Sequence, residues 1–321
     1  MKAAVVTASG AIPEYGEFSE PQVDDAYELV ELVAAGLHPI VRSLAAGRHY
    51  GSTQSWPLVP GVDVVARTAA GDFIYTGLVR PPHGTFAERM AIPKKMRIPL
   101  PPEADPVKVA AGLNPGLPSW LALKTRVREV DSLATVLVLG VTGLAGYLAV
   151  QNARRLGATR VVGVGRNPAR LARAAALGAA TVALSGDREA DAAAIADALG
   201  GTAPSIVLDF LWASPAEAAF ASLARRGLEE DTADVAYLQI GATAGPEAAV
   251  PAALLRSRRI RISGSGAGSA QIADIMAEVP VYMQLIADRS VDVPTKTVPL
   301  SSISEAWTAS ADDTDRIVVV P

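Results

Sequence analysis

A chain of 321 residues, 50% apolar and 19% charged, can build one large or two ordinary domains around a sizeable core, which excludes a disordered chain. Its net charge of -4 argues against nucleic acid as the main partner, and the lack of cysteine excludes disulfides, thiolate zinc sites and a cysteine nucleophile. No apolar run reaches the roughly 18 residues that span a bilayer, and the start MKAAVVTASG lacks the apolar stretch of a secretion signal, so a cytoplasmic protein with no membrane partner is expected.

The first third reads as short strands. MKAAVVT, AYELVELVAAG, PGVDVVART and DFIYTGLV are Val-rich and separated by Gly, Pro and Asp, with a helix expected only near 104–112. From about Trp120 to Arg261, strand runs alternate with Ala-rich helical runs: TVLVLG before AGYLAVQNARRLG, RVVGVG before NPARLARAAALG, TVALS before READAAAIADALG, and SIVLDFL before SPAEAAFASLARRG. VAYLQIG and RIRISGS add two more strands, giving six. Asn167 and Ser214 are placed to cap helices, with Pro168 and Pro215 in the first turn, and Gly157, Gly178 and Gly200 mark helix ends. Such alternation predicts an α/β fold, a doubly wound parallel sheet with helices on both faces. After it come a helix in SAQIADIMAEVPVYMQLIAD, a strand near 295–299, a short helix at 302–310 and the strand RIVVVP. A β-rich start and a short returning tail suggest a discontinuous first domain, 1–117 plus 267–321, into which a domain over 118–266 is inserted.

TVLVLGVTGLAGYLAVQ is strand, glycine turn, helix, with Gly140, Gly143 and Gly146 spaced G-x-x-G-x-x-G. Aligned on its last two glycines, the dinucleotide pattern G-x-G-x-x-G has Val141 at its first position and Gly140 one residue early. Backbone N–H groups over Thr142, Gly143, Leu144, Ala145 and Gly146 are therefore expected to face a pyrophosphate at a helix N-terminus.

Arg166 lies 20 residues after Gly146, at the end of the second strand of this domain. An acid there would accept bonds from ribose hydroxyls; an arginine cannot accept, but it makes charge-assisted bonds to a 2′-phosphate. No acid occurs between Val161 and Ala174. Gly165, Arg166 and Asn167 thus read as a pocket for NADP(H). Gly264, Ser265 and Gly266 end the sixth strand, where parallel sheets bind ligands, and are expected against the nicotinamide amide, with Gly241 as a further cofactor residue.

The chain resembles the medium-chain dehydrogenase/reductase superfamily, and within it the zinc-independent quinone oxidoreductase branch. The resemblance covers nearly the whole length and rests on AAGLHPIVRSLAAGRHY, PLVPGVD, GTFAERMAIP, VLVLGVTGLAGYLAVQNARRLGA and RIVVVP. It implies a GroES-like substrate domain, a Rossmann domain, an active-site cleft between them and a homodimer. Zinc alcohol dehydrogenases of the superfamily place a Cys at the position matching His38 and a His at that matching Val62; Val62 cannot bind metal, and the structural-zinc loop is missing between Glu88 and Pro99, so no metal is expected. The quinone reductase branch often has Asn at the position of His38 and Tyr at those of Ser43 and His49. By the same resemblance, His38 lies over the nicotinamide and either hydrogen-bonds a substrate carbonyl or is structural, and Trp212 lies near the nicotinamide. His38 and Tyr50 are the catalytic candidates. Asp63 is expected to orient its turn, His83 to be an exposed loop residue, and RSRRIRIS to be an exposed face or dimer edge.

The leading expectation is a zinc-independent NADPH-dependent reductase passing hydride to a quinone, enone or related carbonyl. A carbonyl or imine reductase of specialised metabolism, or a non-catalytic NADPH-binding redox sensor, are the alternatives.

Overall fold

The computed structural model describes residues 1–77, 79–266, 268–269, 271–309 and 315–321. The chain forms two compact units, Met1–Pro115 with Val279–Pro321, and Gly116–Glu278. The sequence reading draws its boundaries at 117/118 and 266/267.

In the first unit, β1 (Lys2–Val5) pairs antiparallel with β2 (Glu14–Glu17). The ten-residue β3 (Tyr27–Gly36) pairs antiparallel with β4 (Asp63–Arg67) and β6 (Arg89–Pro93), and β4 continues through β5 (Phe73–Gly77) to β7 (Ile98–Pro99). Alternating burial along β3 sends Val30 and Leu32 into a core with Ile74, Phe86, Met90 and Ile92. A helix absent from the sequence reading, α1 (Pro39–Ala45), follows β3 directly. Seven residues are too few to show a helical period, and only Pro39 in its first turn marks it.

The helix expected near 104–112 is much longer: α2 runs Pro106–Glu129. Pro115 and Pro118 sit inside it, although proline ordinarily interrupts a helix. Asn152, fully buried, donates to the Gly116 carbonyl at 3.1 Å and to Ser119 Oγ at 2.9 Å, tying this stretch of α2 into the second unit.

The second unit alternates as expected: β8 (Thr135–Leu139), α3 (Leu144–Arg155), β9 (Arg160–Gly165), α4 (Pro168–Ala176), β10 (Ala180–Ala183), α5 (Arg188–Leu199), β11 (Ile206–Asp209), α6 (Ala213–Leu223), β12 (Val235–Gln239), α7 (Ala252–Ser257) and β13 (Ile260–Gly264). Among the described residues its sheet has six parallel strands in the order β10-β9-β8-β11-β12-β13. Successive β8 residues explain the unbroken apolar run. Val136 and Val138 pack with Val150 and Leu171 in one core cluster, Leu137 and Leu139 with Ile195 and Phe220 in another. A strand buried on both faces has no polar side to alternate with, and each such side chain stabilises by about 1.5–3 kcal/mol relative to exposure. The strand order reverses between β8 and β11, the place where doubly wound sheets open for a ligand.

Asn167 caps α4, its Oδ1 accepting the Arg170 N–H at 3.1 Å, and Gly200 ends α5 at φ 64°. Ser214 does not cap α6. The helix begins earlier, behind Trp212, because the Asp209 carboxylate takes the N–H groups of Leu211 and Trp212 and turns the chain before Ser214 is reached.

The tail starts with α8 (Ile272–Ala287), followed by β14 (Thr295–Pro299), α9 (Ile303–Thr308) and β15 (Arg316–Val320). The helix expected over 302–310 covers most of that span; residue 310 lies outside the described residues. β14 and β15 are parallel, and β15 returns antiparallel onto β3. Among the described residues, no helix is long and apolar enough to cross a membrane.

Candidate functional site

The chain leaves β8 at Gly140, whose φ of 92° lies in the left-handed region that favours glycine. The N–H groups of Gly140 and Val141 both donate to the Val164 carbonyl, at 2.9 and 3.0 Å, folding the turn back on β9. α3 then starts behind Gly143 with no side-chain cap and no acid in its first turn. The first N–H groups of this helix, from Leu144 to Gly146, have no intrahelical acceptor and stand at the positive end of its dipole. The two glycines of the turn differ in kind. A methyl at Gly146 would overlap the Gly140 carbonyl and lie 2.6 Å from Val141 Cα, so the protein's own packing demands glycine there. A methyl at Gly143 would meet nothing closer than the Gly140 carbonyl oxygen at 3.6 Å, an ordinary contact. Gly143 is exposed and has an extended backbone, so neither packing nor backbone conformation within the chain requires glycine there.

At the end of β9, buried Gly165 lies against Thr142, whose Oγ1 would be 3.0 Å from a methyl at that position. Arg166 is exposed and makes no hydrogen bond or ion pair among the described residues. Arg170 Nη1 donates to the Thr142 carbonyl at 3.3 Å, and the Arg173 guanidinium lies 5.1 Å from the Tyr147 ring centroid. α4 thus turns toward the glycine turn and α3. Sequence reasoning missed Arg170 and Arg173; the signal was their three-residue spacing in the helix predicted behind Asn167, which puts both on one face, just after Arg166. Positive charge at a helix N-terminus opposes the dipole unless an anion binds beside it.

Gly241, Gly264 and Ser265 lie where β12 and β13 end. Asp209, fully buried at the end of β11, organises this edge. Its Oδ1 accepts the N–H groups of Leu211 and Trp212 at 2.8 and 2.9 Å, and its Oδ2 the Tyr237 hydroxyl at 2.7 Å. Burial pushes its pKa up, and these bonds hold it back. Trp212 is forced to φ 60°, and its indole packs edge-on against Phe220 and Tyr237. The N–H of Gly241 donates to the Asp209 carbonyl at 3.1 Å, and that of Ser265 to the Gln239 carbonyl at 2.8 Å. Gly266 donates its N–H to Ser269 Oγ at 2.7 Å. Asp209 was legible as the lone acid interrupting the apolar run SIVLDFL.

The catalytic candidates lie in the other unit. His38, at the start of α1, is 2% exposed. A methyl at Gly36 would be 2.5 Å from His38 Cε1 and from the Ala110 carbonyl, so the imidazole edge fits only over a bare α-carbon. His38 Nε2 lies 3.4 Å from Asp63 Oδ1, and the Tyr75 hydroxyl donates to Asp63 Oδ2 at 2.8 Å. Burial first, then the neighbouring carboxylate, pushes the Tyr75 phenol well above its ordinary value, so it stays a donor. Asp63 therefore meets side chains, where its own turn was the expected partner. Tyr50 is 78% exposed, its ring 4.1 Å from that of His49. His49 accepts the Gly51 N–H on Nδ1, and burial lowers its pKa. His83 is a loop tie, with Nε2 3.1 Å from the Ser19 carbonyl and its ring edge-on to Phe18. Two of the four arginines in the basic run are paired: Arg258 with Asp231, and Arg261 with Glu129 and Asp234.

Residues 145–287 match the zinc-binding dehydrogenase family. The probable NADPH-dependent quinone reductase tdiC of Emericella nidulans is 28% identical, with all of both chains covered. The quinone oxidoreductase of Thermus thermophilus, solved also in complex with NADPH, is 26% identical, with a TM-score of 0.80 and all of both chains covered. The quinone oxidoreductase of Pseudomonas syringae, at 21% identity and a TM-score of 0.82 over all of both chains, shares the fold. Over its whole length the chain is thus similar to quinone oxidoreductases of the medium-chain dehydrogenase/reductase superfamily. The stretch matched by the family contains Gly146, Gly165 and Arg166 but neither His38 nor Val62.

Proposed function

We propose that the chain is a zinc-independent, NADPH-dependent oxidoreductase acting on a quinone, an enone or a related carbonyl compound. The observation that carries this reading is Arg166, exposed and without a hydrogen bond or ion pair among the described residues, at the end of β9 and just before the helix whose Arg170 reaches the glycine turn. The residues fit the cofactor: the N–H groups of Leu144, Ala145 and Gly146 suit a pyrophosphate, Gly143 leaves room for it, and Arg166 with Gly165, Thr142 and Asn167 suits a 2′-phosphate. Gly241, Gly264, Ser265 and Gly266 offer backbone at the carboxyl edge of the sheet, with Trp212 at the start of α6 beside them. Bound there, NADPH supplies a hydride. The names of the relatives support the cofactor and the quinone. A homodimer working in the cytoplasm belongs to the same proposal.

Stopped-flow oxidation of bound NADPH tests the reading: a quinone should accelerate it strongly over buffer alone. His38 at 2% exposure favours the non-catalytic sensor instead, and an NADPH signal indifferent to quinones, enones and imines would establish that reading.

Two further results are expected. Gly146→Ala should cost about 1–3 kcal/mol of stability, because the turn must move to admit the methyl. Gly143→Ala should leave stability within ~0.5 kcal/mol yet weaken NADPH. Thermal unfolding and NADPH titration of both variants check this; equal loss of stability in the two contradicts it. Protein purified without chelator should hold substoichiometric zinc by elemental analysis and keep its activity in chelator. One tightly held zinc per chain contradicts the reading of Val62.

A further inference from the structure

His38, Asp63 and Tyr75 form a chain of side chains within the first unit. Asp63 is 4% exposed, and each of its oxygens has one neighbour: Tyr75 on Oδ2 at 2.8 Å, His38 Nε2 facing Oδ1 at 3.4 Å. Both ring nitrogens of His38 and Oδ1 of Asp63 are buried and lack a hydrogen-bond partner of good geometry among the described residues. An ionised carboxylate only accepts. A bare Nε2 would put two lone pairs face to face in a low-dielectric interior, whereas an Nε2–H points a donor at a charge. The Tyr75 hydroxyl holds the carboxylate in place, and its raised pKa keeps it the donor.

We propose that Asp63, fixed by Tyr75, sets the tautomer of His38 so that the proton sits on Nε2 and Nδ1 becomes the atom through which His38 meets a ligand hydroxyl. Buried polar atoms are rarely left unpaired in native proteins. Nδ1 has no partner among the described residues, which leaves it open to a ligand group. In the neutral ring Nδ1 accepts. Once it takes a second proton, the imidazolium is held by Asp63, and the contact tightens into a charge-assisted bond. The catalytic part of this inference rests on the proposed reduction. When a substrate oxygen has gained the electron pair of its C=O bond, it takes the proton from Nδ1–H. Nδ1 keeps the electrons of that bond, Nε2–H stays on Asp63, and solvent restores the proton. Asp63 and Tyr75 are positioning residues; only His38 exchanges a proton.

The chain has three histidines, so two-bond proton–nitrogen correlation spectra of histidine-labelled protein resolve each ring. Loss of one signal set in His38→Asn assigns His38. At a pH where the ring is neutral, the wild type should show Nε2–H with a bare Nδ1. In Asp63→Asn the Tyr75 hydroxyl still donates to the amide oxygen, which turns the NH2 toward Nε2; His38 should switch to Nδ1–H. Tyr75→Phe should weaken the preference without reversing it. The His49 and His83 signals should stay in place in both variants, showing that the fold is intact. A wild-type Nδ1–H tautomer, or an unchanged tautomer in Asp63→Asn, overturns the proposal, and the wild-type spectrum alone decides if the variants do not fold. In turnover, Asp63→Asn should lower kcat by about 100-fold and leave KM within about threefold. A correct tautomer with no turnover of any acceptor removes the proposed function and leaves the tautomer assignment standing; turnover with the wrong tautomer does the reverse.

Discussion

Replacing Arg166 by Ala should weaken NADPH binding roughly 10- to 100-fold and barely change NADH. A charge-assisted bond to the 2′-phosphate is worth ~1.5–3 kcal/mol, and NADH lacks that phosphate. Arg166 has no partner to lose among the described residues, so the substitution should leave stability within ~0.5 kcal/mol. That separates it from Arg170, whose guanidinium also holds the Thr142 carbonyl. Arg170→Ala should lower NADPH affinity and loosen the turn together. Because the contact is electrostatic and exposed, the difference between NADPH and NADH should shrink as salt is raised. Titration of bound-cofactor fluorescence at two ionic strengths measures all of this. Equal affinity of the wild type for the two cofactors would sink the assignment.

What could be read in the sequence was what repeats with a period or is marked by a residue of special geometry. The six strands of the second unit are continuous apolar runs because both faces of the sheet are covered, and caps such as Asn167 and stops such as Gly200 do their work within four residues of themselves. α1 and α7, at seven and six residues, were missed, whereas the equally short α9 was expected. α2 was read short, only near 104–112, and runs on through Pro115 and Pro118, residues that usually break a helix. The same division runs through the site. The glycine turn and Arg166 are local patterns at fixed spacing. The Tyr75–Asp63–His38 chain joins residues of β5, β4 and the start of α1, and no pattern along the sequence brings those three together. Asp209 lay in plain view, but its task, holding the turn at Trp212, follows only from the tight strand-to-helix turn.

His38→Ala should lower kcat by about 10²–10³, the usual loss when a donor to a developing oxyanion is removed. NADPH should bind within about threefold, or ~0.7 kcal/mol, of the wild type, because the residues proposed to hold its phosphates belong to the other unit. Removing a buried ring also leaves a cavity and takes the facing partner from Asp63, so some stability is lost with the activity. Turnover must therefore be compared at a temperature well below unfolding, and the informative contrast is His38→Asn. Asn refills part of the space and still donates a hydrogen bond, but it cannot carry a proton between pH 5 and 8 as a histidine does. It should recover stability nearly in full and the rate only in part. An enzyme whose rate and stability are restored together by Asn needs only a hydrogen bond at position 38. Full turnover of His38→Ala on a confirmed substrate makes the histidine structural. The donor must then be sought at Tyr50, the exposed alternative at 78%, or in water.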